Sequence, residues 1–284
     1  LSPSKLPFER DLTEARTAWR GIKGMLGAAK GLRPAVAGLQ RLPGCWAGLT
    51  RTMASKSDQD AAADASAHKL YEMRLSYSNE GVSDEMLKQK PMDVFEAWMQ
   101  DARKSGNIEP NAMSVSTCVN NRPSSRIVLL KLYDERGFVW FTNYESRKGE
   151  QLEANPYGSI LFFWQELQRS VRIEGRVEKV EAELSDEYFA ERPRGSQIGA
   201  LASDQSRPIE SREALEAKEA KLVEHYSNDE NKDQPIKRPE HWGGYRLVPD
   251  YIEFWKGRPS RLHDRIAFTK DEGVDSWSAK RLQP

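Results

Sequence analysis

The sequence predicts a mainly β fold with flanking helices (α+β), in which antiparallel strands curl into a small barrel. Three observations carry this. Short runs rich in β-branched and large apolar residues follow one another across short turns. Amphipathic helices interrupt those runs instead of alternating with every strand, and there is neither an internal repeat nor a Gly-rich phosphate loop of the nucleotide-binding kinds. The chain has 284 residues, 38% apolar and 30% charged, enough for a real hydrophobic core. An antiparallel sheet of this kind must curl or close to bury its apolar face.

Residues 1–67 stand apart. Between positions 15 and 57 there are eight basic residues and no acidic one, with Trp19, Ile22, Leu26 and Ala29 at helical spacing. That is the charge pattern of a mitochondrial or plastid transit segment, although the stretch is poor in serine and follows Glu9, Asp11 and Glu14. A disordered basic leader with no role in the fold is the other reading, and 54–67 reads as linker in either case. The folded domain is expected over 68–284.

Within it, Pro91 opens a helical pattern with Phe95, Trp98, Met99 and Ala102 on one face, and Gly106 is placed to end it. Strands are expected over 112–119 and 125–133, joined by a turn of Asn120, Asn121, Arg122 and Pro123, and then over 138–142, 158–164 and 170–180. Ser146 is a candidate N-cap for a helix running to about 154. Helices are expected over 184–191 and 211–226, the latter with Leu215, Leu222 and Tyr226 along one face. Strands over 245–255 and 261–268 close the chain as a hairpin across Lys256, Gly257, Arg258 and Pro259.

Composition excludes several classes of function. Forty-three Lys and Arg balance 43 Asp and Glu, so nothing global advertises nucleic acid or an anionic membrane. The longest apolar runs fall far short of the ~18 residues of a membrane span. Two cysteines, Cys45 and Cys118, supply neither a disulfide framework nor a zinc cluster, and a reducing, cytoplasmic setting fits them best, with organelle targeting by the leader as the alternative. Anion sites must therefore be local clusters. Arg261, His263 and Arg265 fall at i, i+2 and i+4 of an expected strand, which puts them on one face with Leu262 and Ile266 on the other. Ser146, Arg147 and Lys148 mark a helix start suited to phosphate. Arg126 and Lys131, five apart, should face opposite sides of a regular strand, so serving one pocket requires a bulge. Tyr188 and Arg192 lie one helical turn apart, with Ser196 in the loop beyond. Each set has a plain structural alternative: a solvated edge strand, a capped surface helix, or exposed helix-end residues.

The run Glu253-Phe-Trp-Lys-Gly-Arg-Pro-Ser-Arg-Leu-His-Asp-Arg265 closely resembles the C-terminal signature of the pyridoxine (pyridoxamine) 5′-phosphate oxidases. So do Arg126-Ile-Val-Leu-Leu-Lys131, Phe141-Thr-Asn-Tyr-Glu-Ser-Arg-Lys148, the stretch from Tyr188 to Gly199, and Trp242-Gly-Gly-Tyr245, all in the family's order. The resemblance implies an FMN-binding split β-barrel, a homodimer with two flavin sites at the subunit interface, and oxidation of pyridoxine 5′-phosphate or pyridoxamine 5′-phosphate to pyridoxal 5′-phosphate, with O2 reduced to H2O2. It places the flavin against Arg126, Ile127, Val128 and Leu129, then Phe141 and Thr142, with Arg147 and Lys148 on its phosphate. Gln205, Ser206, Trp255 and Arg265 complete that implied set. For the substrate phosphate it implies Lys131, Tyr188, Arg192 and Ser196, with Arg261 and His263 over the pyridine ring as catalytic residues and Arg74 and Tyr77 as lid contacts. The family usually carries a glutamine on the flavin where this chain has Ser170, and Lys256 stands where the signature has Gln, His or Gly. A split-barrel FMN reductase or flavin carrier with another substrate is the runner-up, and a nucleic-acid-binding barrel the third reading.

Overall fold

The computed structural model describes residues 76–228, 231, 234–270 and 276–284. The expected leader over 1–67 and the lid candidate Arg74 lie outside the described residues. Helix α1 (Pro91–Lys104) starts with Pro91 at its first position, where a missing N–H costs nothing. It ends beside Gly106, whose φ of +86° is the left-handed geometry a chain leaving a helix adopts. Strands β1 (Ala112–Val119) and β2 (Arg122–Leu129) form a hairpin in register from Ala112↔Leu129 to Val119↔Arg122. The turn is only Asn120 and Asn121, both at positive φ (49° and 58°), the geometry of a two-residue hairpin loop. Arg122 and Pro123, expected in the turn, thus belong to the strand.

The single strand expected over 125–133 is broken. β2 stops at Leu129 and β3 (Leu132–Asp134) starts afresh, because the N–H of Leu130 donates to Asn111 at 2.8 Å while that of Lys131 donates to Val139 at 2.9 Å. Successive amides thus serve different neighbours, and the chain turns a corner between them. β4 (Gly137–Asn143), helix α2 (Arg147–Ala154), β5 (Tyr157–Trp164) and β6 (Arg169–Lys179) follow, then helices α3 (Ala182–Glu191), α4 (Arg194–Ala202) and α5 (Arg212–Ser227), and finally β7 (Trp242–Lys256), β8 (Asp264–Lys270) and β9 (Trp277–Leu282). The sheet runs β2-β1-β5-β6-β7-β4-β3, all antiparallel, with β8 and β9 added beyond β7. Its two terminal strands, β2 and β3, are consecutive in the chain, so Arg122–Asp134 borders β1 with its first part and β4 with its last.

α1 lays Phe95, fully buried, against Phe138 at 4.9 Å and 83° and against Phe162 at 5.4 Å. Each such ring contributes about 1.5–3 kcal/mol by leaving water. A second, smaller core of Phe189, Ile198, Ile236 and Trp242 gathers α3 and α4 beside β7, with Leu222 and Tyr226 of α5 packed on it, whereas Leu215, expected on the same face, is not part of that cluster.

Two expectations at the C-terminal half fail. Ser196 is not in a loop but inside α4, whose N-cap is Pro193. The hairpin before β8 is not a four-residue turn either: Lys256 is still in β7, paired with Asp264, and the connection spans 257–263. It contains a 3₁₀ turn, Pro259–Arg261, in which Ser260 (φ 57°) and Arg261 (φ 62°) are both left-handed. Consequently Arg261, His263 and Arg265 do not alternate along one strand, and Leu262 is 70% exposed instead of packed. β9, short and mostly polar, was not anticipated.

Candidate active site

The corner between β2 and β3 opens one wall of a cleft of about 590 Å³. Arg126, Ile127, Val128 and Leu129 line it from β2, and Lys131 from the corner itself. The break in the strand is what lets Arg126 and Lys131, five apart, serve one cavity. Phe141 and Thr142 of β4 and Lys148 of α2 form the floor; Tyr188, Arg192, Ser196 and Gln205 come from α3, α4 and the loop after it. Trp242, given no role from sequence, completes an aromatic stack in which Phe141 and Tyr188 lie 4.0 Å apart at 20° and Tyr188 and Trp242 6.1 Å apart at 7°. The one hint of it was its position opening the Trp-Gly-Gly-Tyr run.

The electrostatics of this cleft are one-sided. Its lining holds Arg126, Lys131, Lys148 and Arg192 and no carboxylate. Burial, and then Arg192, push the Lys131 ammonium below its ordinary range. Burial likewise lowers Arg192, whose guanidinium lies 4.6 Å from the Trp242 ring centre. Its Nη1 is buried without a hydrogen-bond partner among the described residues, an arrangement that costs free energy until an acceptor arrives. Lys148 is pushed down to about 8, by burial first and Arg126 second.

Two of the four cations are already braced. Ser146 caps α2 by accepting the Gly149 N–H, as expected, and Lys148 Nζ donates to Thr142 Oγ1 at 2.8 Å, Ser146 Oγ at 3.0 Å and Gln205 Oε1 at 2.6 Å. Arg126 turns its Nη atoms onto Val115 O, Thr117 Oγ1 and Gln151 Oε1, between 2.8 and 3.1 Å, so it stiffens the wall. Arg147, at the helix start, is exposed and absent from the lining, as is Ser206, exposed at φ 72° just past Gln205.

The remaining predicted residues gather elsewhere in the chain and do not line this cleft. Trp255 of β7 lies 4.7 Å from His263, and Tyr77 meets both edge-on, at 5.9 and 5.6 Å. Burial, then Arg261, lowers the His263 pKa, which favours the neutral ring. Ser170 of β6 is paired across the sheet with Trp255. Arg265 grips Glu253 with two hydrogen bonds, of 2.8 and 3.0 Å. Lys256 is buried and donates to Leu167 O at 2.9 Å. Arg261 is exposed on its left-handed turn. Among the described residues no group of three or more His, Cys, Asp or Glu could hold a metal ion, and no helix is long and apolar enough to cross a membrane.

Comparison with known proteins gives the following. A family model described as pyridoxamine 5′-phosphate oxidase matches residues 99–226, and one described as the pyridoxine 5′-phosphate oxidase C-terminal dimerisation region matches 242–284. The pyridoxine/pyridoxamine 5′-phosphate oxidase of Burkholderia lata is 53% identical over 217 residues, 76% of this chain and 99% of that one. Its counterpart in Paraburkholderia phytofirmans is 53% identical over 216 residues, with the same coverage. Among solved structures, PhzG from Burkholderia lata 383 in complex with tetrahydrophenazine-1-carboxylic acid superposes with a TM-score of 0.66 at 29% identity, covering 73% of this chain and 100% of that one. A pyridoxamine 5′-phosphate oxidase-related, FMN-binding protein from Nostoc punctiforme superposes at 0.55 with 15% identity, covering 69% and 99%, and shares the fold.

Proposed function

The chain belongs to the pyridoxamine 5′-phosphate oxidase family, and from that premise we propose that it oxidises pyridoxine 5′-phosphate and pyridoxamine 5′-phosphate to pyridoxal 5′-phosphate, with FMN as cofactor and O2 as acceptor. The observation that carries this reading is the cleft whose lining, among the described residues, has four cations, no carboxylate and a buried Arg192 Nη1 without a hydrogen-bond partner. Such a wall is unfavourable alone and favourable around phosphate.

The donor set fits FMN. Lys148, with the N-terminus of α2 and the adjacent Arg147, would hold the cofactor phosphate, and the apolar stretch Ile127 to Leu129 would meet the ring system. FMN, when bound, supplies the two-electron acceptor that passes electrons to O2 and yields H2O2. The chain does the rest. Lys131, Tyr188, Arg192 and Ser196 clamp the substrate phosphate, which fixes the pyridine ring relative to the cofactor. Arg261 and His263 orient and polarise the C4′ oxygen or nitrogen, and Tyr77 covers that side against water.

Because Trp255, His263, Arg261 and Arg265 do not line the cleft of their own chain, a homodimer in which these residues complete the partner's cleft is part of the proposal. The matched dimerisation region supports it. So do Ile127 of β2 and Leu161 and Phe163 of β5, exposed by 69%, 41% and 59% on the two strands that flank β1, a patch suited to burial against a second copy. A second reading follows from the likeness to PhzG: the same anion clamp would accept a carboxylate on another oxidisable ring.

The test is aerobic incubation of the FMN-loaded chain with pyridoxine 5′-phosphate, following peroxide and aldehyde together, in wild type and Arg192→Ala. Both products should form in equal amounts. The variant should raise KM about tenfold to a hundredfold, the loss of one charge-assisted hydrogen bond of ~1.5–3 kcal/mol, with far less effect on kcat. An unchanged KM would remove the clamp from the mechanism; no turnover in the wild type, with turnover of a carboxylated ring, would favour the second reading.

A further inference from the structure

The segment ahead of α1 and the loop between β7 and β8 are tied together at one residue that the activity does not otherwise use. Arg258 acts from both its backbone and its side chain. Its N–H donates to His263 Nδ1 at 3.1 Å, which makes Nδ1 an acceptor and leaves the hydrogen of the neutral ring on Nε2. Its guanidinium reaches across to donate to the Asn79 carbonyl, with Nε 3.8 Å from Asp264 Oδ2. That same Oδ2 accepts the Val82 N–H at 3.1 Å, and Ser78 N–H donates to Gln168 Oε1 at 2.8 Å. Arg281 closes the far end, donating to Asp264 Oδ1 at 2.7 Å and to the Val82 carbonyl at 3.0 Å.

Two glycines let the layers meet. A Cβ on Gly257 would stand 2.8 Å from the Tyr77 ring, and one on Gly81 would stand 2.6 Å from Arg258 Nη1. The outcome is an irregular strap, residues 77–82, tied to the loop, with Tyr77 held edge-on to both Trp255 and His263.

We propose that Arg258 is a positioning residue: it straps residues 77–82 over the 257–263 loop and thereby presents Tyr77 and His263 to the substrate as a preset pair. The inference rests on the oxidase reading for what the pair does, and on the contacts alone for the strap. An arginine suits the task because one planar group spans a backbone carbonyl on one side and a carboxylate on the other, while its own amide fixes the imidazole.

Hydrogen exchange of the peptide covering residues 76–84 and steady-state kinetics, both on the full FMN-loaded chain, test this. Arg258→Ala should speed exchange at Ser78 and Val82 about tenfold and raise KM for pyridoxine 5′-phosphate about three- to tenfold, with kcat within twofold. Arg258→Lys, which keeps a donor near Asn79, should restore part of both effects. Gly257→Val should reproduce them by pushing Tyr77 away while Arg258 stays intact. Unchanged exchange in Arg258→Ala would overturn the strap, and faster exchange with unchanged KM would overturn the positioning role. If the wild-type chain does not oxidise the substrate at all, the oxidase reading fails while the exchange measurement still decides the strap.

Discussion

The cleft beside β2 and the face of β7 and β8 are built from the same residue types and behave as opposites. In the cleft, Arg126, Lys131, Lys148 and Arg192 share a lining without a carboxylate. On β7 and β8, Glu253 takes Arg265 through two bonds, Arg172 Nη2 at 2.6 Å and the Tyr251 hydroxyl at 2.8 Å, while Asp264 joins Arg281 and Arg258. Burial alone would raise the Glu253 carboxyl, but hydrogen bonds from Arg265, Arg172 and Tyr251 outweigh it and hold it down at about 2. On the β7 and β8 face the cations are met by carboxylates of their own chain and stabilise the fold; in the cleft they are not, and the proposed function gives them an anion from outside.

The largest expected effect breaks the paired side. Glu253→Gln removes the counter-charge that Arg172 and Arg265 share, leaving Arg172 with Glu174 as its ion-pair partner and Arg265 without that carboxylate. Loss of one partner from a buried network costs about 3–5 kcal/mol, and the low end applies here because the two arginines are 39% and 28% exposed. Urea unfolding should show a drop of about 3 kcal/mol. The linkage has a definite sign: the depressed pKa gives stability that is complete above the ordinary carboxylate range and is lost as pH falls toward about 2. Arg192→Ala in the same assay, without ligands, should leave stability unchanged or raise it, since it removes an unsatisfied group. If both variants destabilised the fold equally, the contrast between the two regions would be gone.

The next effect, about tenfold per pH unit, sharpens the other side. Lys148 titrates near 8 in the ligand-free chain, so a bound anion must draw its proton back. FMN affinity should therefore be constant below pH 8 and weaken by up to about tenfold per unit above it, as read from quenching of flavin fluorescence at pH 7, 8 and 9. Lys148→Met should bind weakly and lose that step. An affinity that is flat across the range in the wild type would mean that Lys148 does not face the bound anion.

What the sequence disclosed divides along a similar line. Features decided within a few residues were legible: the Asn120–Asn121 turn, the Ser146 cap and the apolar face of α1 each follow from local geometry. The corner at Leu130 and Lys131 was not, because it depends on which distant carbonyl each amide finds, that of Asn111 just ahead of β1 for one and that of Val139 in β4 for the other. Strand alternation applied to 261–265 misleads for a related reason: a run that alternates on paper begins in a left-handed turn, and the residues on either side of that turn, Arg258 and Asp264, bond Asn79 and Val82, far away in sequence. α4 was hidden by its Pro-Arg-Gly opening. Of the residues the resemblance names, those from Arg126 to Leu129, Lys131, Phe141, Thr142, Lys148, Tyr188, Arg192, Ser196 and Gln205 line one cleft, whereas Thr117 and Gln151, which brace Arg126, carry no spacing signal at all, and Trp242, which stacks on Tyr188, shows only as the first residue of the Trp-Gly-Gly-Tyr run.

The smallest expected effect concerns that turn. Ser260 and Arg261 are consecutive left-handed residues, a conformation that costs an L-residue about 1–2 kcal/mol unless glycine takes it. If the paired charges around Asp264 impose this shape on the loop, Ser260→Gly should relieve strain at Ser260 while Arg258 and Arg281 keep the loop where it is. Part of the gain is offset by the greater freedom of glycine in the unfolded chain. A net gain of about 0.5 kcal/mol, one to two degrees in Tm, is expected, with KM for pyridoxine 5′-phosphate unchanged. A lower Tm would show that the Ser260 side chain itself holds the turn. A raised Tm with a raised KM would show that strain at Ser260, and not the charge pairing, sets the direction of Arg261.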